Sequence, residues 1–491
     1  MNFDRYSGRN ALCIKERFYT YDDLQKMVWS ITKLIKTEIP GRQNTIGVIT
    51  NDEIETYASI LATWFTGNIF VPLNPRNPAA RNNEIIKIAG IKCIMTSDTS
   101  DIHSWQTFAT KILNIKKLKK YPSSPLIESW NDEDILYLLF TSGSTGVPKG
   151  VPISLMNFKT FINSFISYDY EFSPEDRFLQ IYDLSFDGSL PCYVVPLITG
   201  SCVYTVPQDE IKYLYALKLM RDHDLTFVKM PPSTFAYLRP FFDKIRLEKV
   251  KYCLLGGESL DSSLVSDWAN CIPNARIHNV YGPTEATIIC LIYEWIKDRQ
   301  DKQYNGVVAI GRPIGENKVI ILDQNQKSTG SHRIGELYVA GSQVTAGYWK
   351  SPEKNKESFF ELEYNNKIER FYKTGDLAMV DKDGDYLFCG RIDEQVQIDG
   401  FRVEIGEIEK HARDYLKINN VAAVSFQGTQ KTTQIHLFVE NEPEKINGLK
   451  KYLKLKLPVY MLPEKIHHIK EFPKSSGGKI SKAELKKLLG S

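Results

Sequence analysis

The chain has 491 residues, beyond the roughly 250–300 at which a single hydrophobic core stops growing, so two or more domains are expected. Apolar residues make up 42% and charged residues 25%, a globular composition without membrane or low-complexity character. With 62 Lys and Arg against 59 Asp and Glu, the net charge of +3 gives no basis for a nucleic-acid or anionic-membrane partner.

The eight cysteines (Cys13, Cys93, Cys192, Cys202, Cys253, Cys271, Cys290 and Cys389) form no CxxC pair, so neither a zinc site nor a disulfide framework is signalled. Reduced thiols in a cytoplasmic protein are expected. The first residues, MNFDRYSGRN, lack a basic segment followed by an apolar one. No later stretch approaches the ~18 apolar residues of a membrane span.

Thr20-Tyr21-Asp22-Asp23 reads as an N-cap with acid in the first turn. Leu24, Met27, Val28, Ile31, Leu34 and Ile35 then recur at helical spacing, which predicts an amphipathic helix. A strand over Ile46–Ile49, a helix over Glu55–Phe65 and a strand over Ile69–Leu73 follow. The rhythm continues through strands at Ile135–Phe140, Arg177–Ile181, Thr226–Met230 and Lys251–Leu255. Strands alternating with helices imply βαβ units and mainly parallel sheets. Beyond Lys318 the strands are short and broken by Gly and Asp turns (Val319–Leu322, Glu336–Val339, Tyr386–Phe388), which predicts a small β-rich subdomain. The basic run Lys116-Lys117-Leu118-Lys119-Lys120 reads as solvated surface. After Arg391-Ile392-Asp393 a strand (Gln395–Ile398), a turn (Asp399-Gly400), a strand and a helix (Glu407–Leu416) begin again. The fold class is α/β: a large N-terminal domain over 1–391 with parallel-type sheets and the β-rich subdomain, then a smaller α+β C-terminal lid over 392–491, expected to be mobile.

Directly after the apolar strand at 135–140 comes Thr141-Ser142-Gly143-Ser144-Thr145-Gly146-Val147-Pro148-Lys149-Gly150. Its glycines let backbone N–H groups face an anion, four hydroxyls can donate to phosphate oxygens, and Lys149 adds a positive charge. A phosphate cradle is expected. It is not a Walker loop, because Pro148 and Gly150 flank Lys149 where Gly and Ser or Thr are required. Asn279-Val280-Tyr281-Gly282-Pro283-Thr284-Glu285 offers an aromatic plane for a base, a hydroxyl for phosphate and one hard carboxylate suited to Mg²⁺. In Tyr372-Lys373-Thr374-Gly375-Asp376-Leu377, the two oxygens of Asp376 suit a vicinal diol.

These segments, in this order, resemble the motifs of the adenylate-forming superfamily of acyl-CoA synthetases, peptide-synthetase adenylation domains and luciferases. The likeness runs over nearly the whole chain. Thr20-Tyr21-Asp22-Asp23-Leu24 and Phe70-Val71-Pro72-Leu73-Asn74-Pro75 resemble early structural motifs, with Asn74 in place of the usual Asp. The resemblance implies ATP and Mg²⁺ as cofactors. Thr141, Ser142, Gly143, Ser144, Thr145, Gly146 and Lys149 would hold phosphates, and Tyr281 would stack on adenine. Thr284 would touch the α-phosphate, Glu285 would bind Mg²⁺ and Asp376 would take the ribose hydroxyls. Gly257, Glu258, Asn279, Gly282 and Arg391 would complete the nucleotide site, with Asp393 as the hinge. The stretch Gln395–Arg402 keeps the glycine, Gly400, that approaches the active site for thiol transfer, but has Gln397 where Lys is commoner. Pro473-Lys474-Ser475-Ser476-Gly477-Gly478-Lys479 resembles the motif of the catalytic lysine, Lys479.

Ser185-Phe186-Asp187-Gly188-Ser189 lies where aminoacyl-activating members carry the Asp that pairs with the substrate ammonium. Amino-acid activation is therefore expected over acyl-CoA synthesis. By position, the substrate pocket would be Asp187, Gly188, Pro191, Lys229, Leu254, Gly256, Val280, Ile288 and Ile289, closed by Lys479. Family pockets with Lys at position 229 tend to accept Asp or Asn, and a cation there suits a side-chain carboxylate or amide. D-alanine:carrier-protein ligases are the rival within the class. Against them, Gly256 stands where they usually have a bulkier Cys. The chain stops twelve residues after Lys479, so the expected acceptor is the thiol of a phosphopantetheinyl carrier protein supplied in trans.

Overall fold

The computed structural model describes residues 2–98, 111–118, 127–143, 146–297, 299, 302–428, 432–440, 443–474 and 480–490. Thr20 caps the helix Tyr21–Glu38: its hydroxyl accepts from the Asp23 N–H, and the Asp23 carboxylate accepts from the Thr20 N–H. This reciprocal box satisfies two donors that a helix end otherwise leaves unpaired. Thr45–Ile49 and Ile69–Leu73 are buried along their whole length, as expected of strands covered by helices on both faces.

Among the described residues the chain builds two large sheets. A six-stranded sheet runs in the order Lys111–Asn114, Cys93–Thr96, Thr45–Ile49, Ile69–Leu73, Ile135–Thr141 and Lys149–Ser154, parallel except for the last strand. A nine-stranded sheet has six parallel strands at its centre: Arg276–Tyr281, Tyr252–Gly256, Phe227–Met230, Arg177–Gln180, Cys202–Thr205 and Asn10–Ile14. Antiparallel strands finish both edges. One apolar cluster joins the facing sides of the two sheets, from Tyr137 and Phe161 to Phe178, Phe227 and Leu254. A second, around Phe235 and Trp268, fills the outer face of the nine-stranded sheet.

The expected β-rich subdomain is present as a five-stranded antiparallel sheet containing Lys318–Leu322, Gly335–Ala340, Phe359–Tyr364, Lys367–Val380 and Tyr386–Arg391. Beyond it come the hairpin Gln395–Ile398/Phe401–Glu404, the helix Ile405–Leu416 and a three-stranded sheet of Val421–Gln427, Thr433–Glu440 and Lys465–Ile469. Val403, Ile408, Ala412, Leu437, Leu449 and Leu453 form an apolar cluster there whose buried members all follow residue 400. Ile408 has no exposed surface. Ile408→Ala is expected to cost about 2–5 kcal/mol through lost burial and a residual cavity. Hydrogen exchange should show faster opening over 405–457 while amides of the nine-stranded sheet keep wild-type protection.

Candidate functional site

Strands of both sheets deliver their carboxyl ends to one cleft, the usual place for a site in open α/β folds. The strand Ile135–Thr141 ends at the hydroxyl-rich loop, and Arg177–Gln180 leads to the segment carrying Asp187. Tyr252–Gly256 runs into Gly257-Glu258, and Arg276–Tyr281 runs into Gly282–Glu285. A cavity of about 170 Å³ lies among them, lined by Thr141, Ser142, Asp187, Gly257, Glu258, Asn279, Val280, Tyr281, Gly282, Thr284, Asp376, Arg391 and Arg402. A second cavity of about 880 Å³ shares Glu258, Phe388, Arg391, Gln395 and Gln397 with the first and runs out past Asp393, Thr432 and Lys482.

The structure brings most of the expected nucleotide residues together. Tyr281 Oη donates to Asp376 Oδ2, Arg391 Nη1 donates to Asp376 Oδ1, and Arg391 also grips Asp393 through two bonds of 2.6 and 2.8 Å. Burial pushes the Asp376 carboxyl up, and Arg391 and Tyr281 offset this by stabilising its charge. The Asn279 amide is spent on the main-chain oxygens of Val308 and Ala309, so its side chain fixes the cleft wall. Glu258 lines the cavity, but its oxygens accept from Ser233 N at 2.8 Å, Ser233 Oγ at 3.0 Å and Gly400 N at 2.6 Å. Its role in the structure is to hold the hairpin glycine. Gly146 and Lys149 do not line this cavity, while Ser144, Thr145 and Lys479 lie outside the described residues.

Glu285 has no exposed surface. It accepts from Tyr348 Oη at 2.7 Å and from Arg402 Nη1 at 2.9 and 3.1 Å. Burial alone would raise its pKa, but Arg402 and Lys149 outweigh that and hold it at about 2. A carboxylate kept ionised in a dry wall is a donor that fits a hard divalent cation.

The expected acyl pocket is brought together unevenly. Asp187 and Val280 line the inner cavity, whereas Pro191, Lys229, Leu254, Ile288 and Ile289 are buried and do not line it. Asp187 Oδ2 is buried and has no hydrogen-bond partner among the described residues. Burial raises its pKa, with Thr284 and Lys229 pulling it back. Lys229 Nζ donates to Gly188 O at 3.1 Å and sits 4.1 Å from the centre of the Tyr182 ring, and burial lowers its pKa. Its ammonium is thus held inside the protein, against Gly188 and Tyr182, rather than in solvent.

Gly256 corrects one expectation. A Cβ there would lie 2.3 Å from Val280 O and 2.6 Å from Val280 Cγ2. The missing side chain allows two paired strands to approach and does not enlarge an acyl pocket, so Gly256 does not argue against a small substrate.

Several contributors have roles that the sequence did not assign to them. Asn74 Nδ2 donates to Asp183 Oδ2, and Asp183 Oδ1 accepts from Ser185 N and Oγ, which sets the loop ahead of Asp187. Gln343 Nε2 reaches the main-chain oxygens of Ala286, Thr287 and Ile289. It braces a turn in which Thr287 and Ile288 have φ of 54° and 75°, a strained conformation for β-branched residues. Arg402, Glu404 and Glu407 come from the C-terminal segment. Arg402 ends the Gln395–Arg402 stretch with no role legible from its neighbours, and its pairing with Glu285 spans 117 positions.

A family model described as AMP-binding enzyme matches residues 2–349. Zwittermicin A synthase ZmaJ of Bacillus cereus is 29% identical over 494 residues, 98% of this chain and 92% of that one. Bacitracin synthase 3 of Bacillus licheniformis is 28% identical over 489 residues, 98% of this chain but 7% of that protein. The chain therefore spans nearly the whole of one relative and a small part of the other. Among solved structures, the Vibrio cholerae adenylation domain AlmE in complex with glycyl-adenosine-5'-phosphate has a TM-score of 0.83 at 22% identity, covering 99% of this chain and 96% of that one. NpsA-ThdA, an artificially fused adenylation-PCP di-domain from Klebsiella oxytoca, has a TM-score of 0.84 at 24% identity, covering 95% and 92%. At these identities the structural likeness is one of fold. The family match spans well over half of the sequence, and the chain belongs to the AMP-binding enzyme family.

Proposed function

We propose that the protein uses ATP and Mg²⁺ to convert an amino acid to its aminoacyl-adenylate, releasing pyrophosphate, and then passes the aminoacyl group to the thiol of a separate phosphopantetheinyl carrier protein. The observation that carries the amino-acid reading is Asp187 Oδ2, a buried carboxylate oxygen beside the inner cavity with no partner among the described residues. A buried anion of this kind calls for a cationic ligand group, and the α-ammonium of an amino acid supplies one.

In this reading residues 1–391 hold the substrates and 392–491 act as the lid. Tyr281 and Asp376 take the nucleoside, Thr284 the α-phosphate, and the loop at 141–149 the outer phosphates. Glu285 would hold Mg²⁺, which when bound neutralises charge on the phosphates. The substrate carboxylate attacks the α-phosphorus, the bond to pyrophosphate breaks, and Lys479 stabilises the charge where two anions meet. In the second step the carrier thiol loses its proton and attacks the acyl carbonyl, and AMP leaves. The larger cavity, which adjoins the inner one at Gln395, Gln397 and Arg391, supports approach of an extended thiol arm from that side. Lys229, buried with one hydrogen bond to Gly188 O, favours a substrate with a side-chain carboxylate or amide.

Pyrophosphate exchange with a panel of L- and D-amino acids tests the substrate class. Aspartate or asparagine should support the fastest exchange, and preference for plain aliphatic residues or D-alanine would remove the role given to Lys229. Asp187→Asn should weaken amino-acid use by roughly 3–5 kcal/mol, the cost of leaving a buried ammonium unpaired. ATP affinity should stay near wild type, and exchange that survives with an unchanged amino-acid KM would sink the assignment. Lys479→Ala should slow adenylation on the order of 10²–10³-fold, by analogy with removing one transition-state donor. Equilibrium ATP binding should persist in that variant.

A further inference from the structure

The hydroxyl-rich loop and Glu285 are already engaged, and by one stretch of chain. Ser142 Oγ donates to Arg402 O at 2.9 Å and accepts from Glu404 N at 3.1 Å. The Gly143 N–H donates to Glu407 Oε2 at 3.3 Å, and Lys149 Nζ lies 3.4 Å from Glu404 Oε1. Arg402 meanwhile spans both oxygens of Glu285. A hydroxyl, a main-chain N–H and an ammonium that would grip a triphosphate from this side are thus each met by an oxygen of residues 402–407. The carboxylate suited to a divalent cation is met by a guanidinium.

We infer that residues 402–407 are an internal mimic of Mg²⁺-pyrophosphate: Glu404 and Glu407 take the place of phosphate oxygens, Arg402 takes the place of the cation, and this docked arrangement excludes the real ligand. The inference rests on the phosphate-binding role proposed for the loop. Charge explains why the exchange is feasible. On the cleft side Glu285 and Lys149 meet a charge of opposite sign in both arrangements, Arg402 and Glu404 in one and the cation and phosphate in the other, so neither is left as an uncompensated buried charge, a strongly destabilising outcome. Glu407 is anchored as well by Arg81, whose Nη1 lies 2.6 Å from Glu407 Oε1 with both side chains at most 5% exposed. The same docking closes the hairpin on the cleft, because Gly400 N donates to Glu258 and Phe401 packs between Phe186 and Tyr460. Departure of pyrophosphate is then the event that lets the hairpin seat, and Arg402, Glu404 and Glu407 are positioning residues for the second half-reaction.

A ligand that binds only the undocked arrangement must shift the population toward it. Hydrogen exchange on the full-length protein reads this directly, with pyrophosphate plus Mg²⁺ as the probe and AMP alone as the control. The Gly400 and Glu404 amides, whose partners are Glu258 and Ser142, should exchange at least about tenfold faster with saturating Mg²⁺-pyrophosphate and stay protected with AMP. In calorimetry, Glu404→Gln/Glu407→Gln should bind Mg²⁺-pyrophosphate about tenfold more tightly than wild type, since two charge-assisted contacts of the competitor are weakened. Saturating pyrophosphate that leaves those amides protected, or no measurable pyrophosphate binding, would overturn the inference. The exchange experiment on wild type decides the matter if the double variant does not fold. Failure of every amino acid to support pyrophosphate exchange, with displacement still observed, would remove the amino-acid reading and leave the mimic standing.

Discussion

Glu285 sits at zero exposure, and a carboxylate there can stay ionised only with a cation against it. In this structure the cation is Arg402. That requirement links the two halves of the chain, since the carboxylate follows a strand of the nine-stranded sheet and the guanidinium belongs to the hairpin beyond residue 394. The Tyr348 hydroxyl and the Lys149 ammonium complete the environment of Glu285. Three parts of the fold are therefore held to one buried negative charge.

Around that charge the architecture is conservative. Strands buried on both faces cannot vary much without loss of packing, whereas the segments leaving their carboxyl ends are held mainly by side-chain hydrogen bonds. Asp183 orders the approach to Asp187, Ser233 orders Glu258, and Gln343 orders the turn after Glu285. The site is thus a set of loops at the sheet ends, cross-tied by polar side chains, which is the arrangement that permits different ligands on one scaffold.

Much of this is legible in the sequence because it is local. Thr20 and Asp23 announce a helix start three residues apart, and the Thr45–Ile49 run, apolar and β-branched, announces a buried strand. The Gly- and hydroxyl-rich stretch after Ile135–Phe140 and the Tyr281–Glu285 turn stand out because each concentrates chemistry within a few residues. Pairing at a distance is what a string of residues hides. Arg81 and Glu407 are 326 positions apart, and Arg402 and Glu285 are 117 apart. Nothing in either neighbourhood names the other. Gly256 misleads for a related reason: a glycine looks like vacant space in a string of letters, while in three dimensions the vacancy is filled by the Val280 main chain.

The brace supplied by Gln343 bears on any attempt to recast the acyl pocket. Ile288 and Ile289 owe their placement to an amide reaching across from the β-rich subdomain, more than fifty positions later in the chain. Transplanting the expected pocket residues without the glutamine that braces the strained turn at Thr287 and Ile288 would let the turn relax and carry the grafted side chains elsewhere. Selectivity in this scaffold is accordingly a shared property of the wall and of its distant buttress.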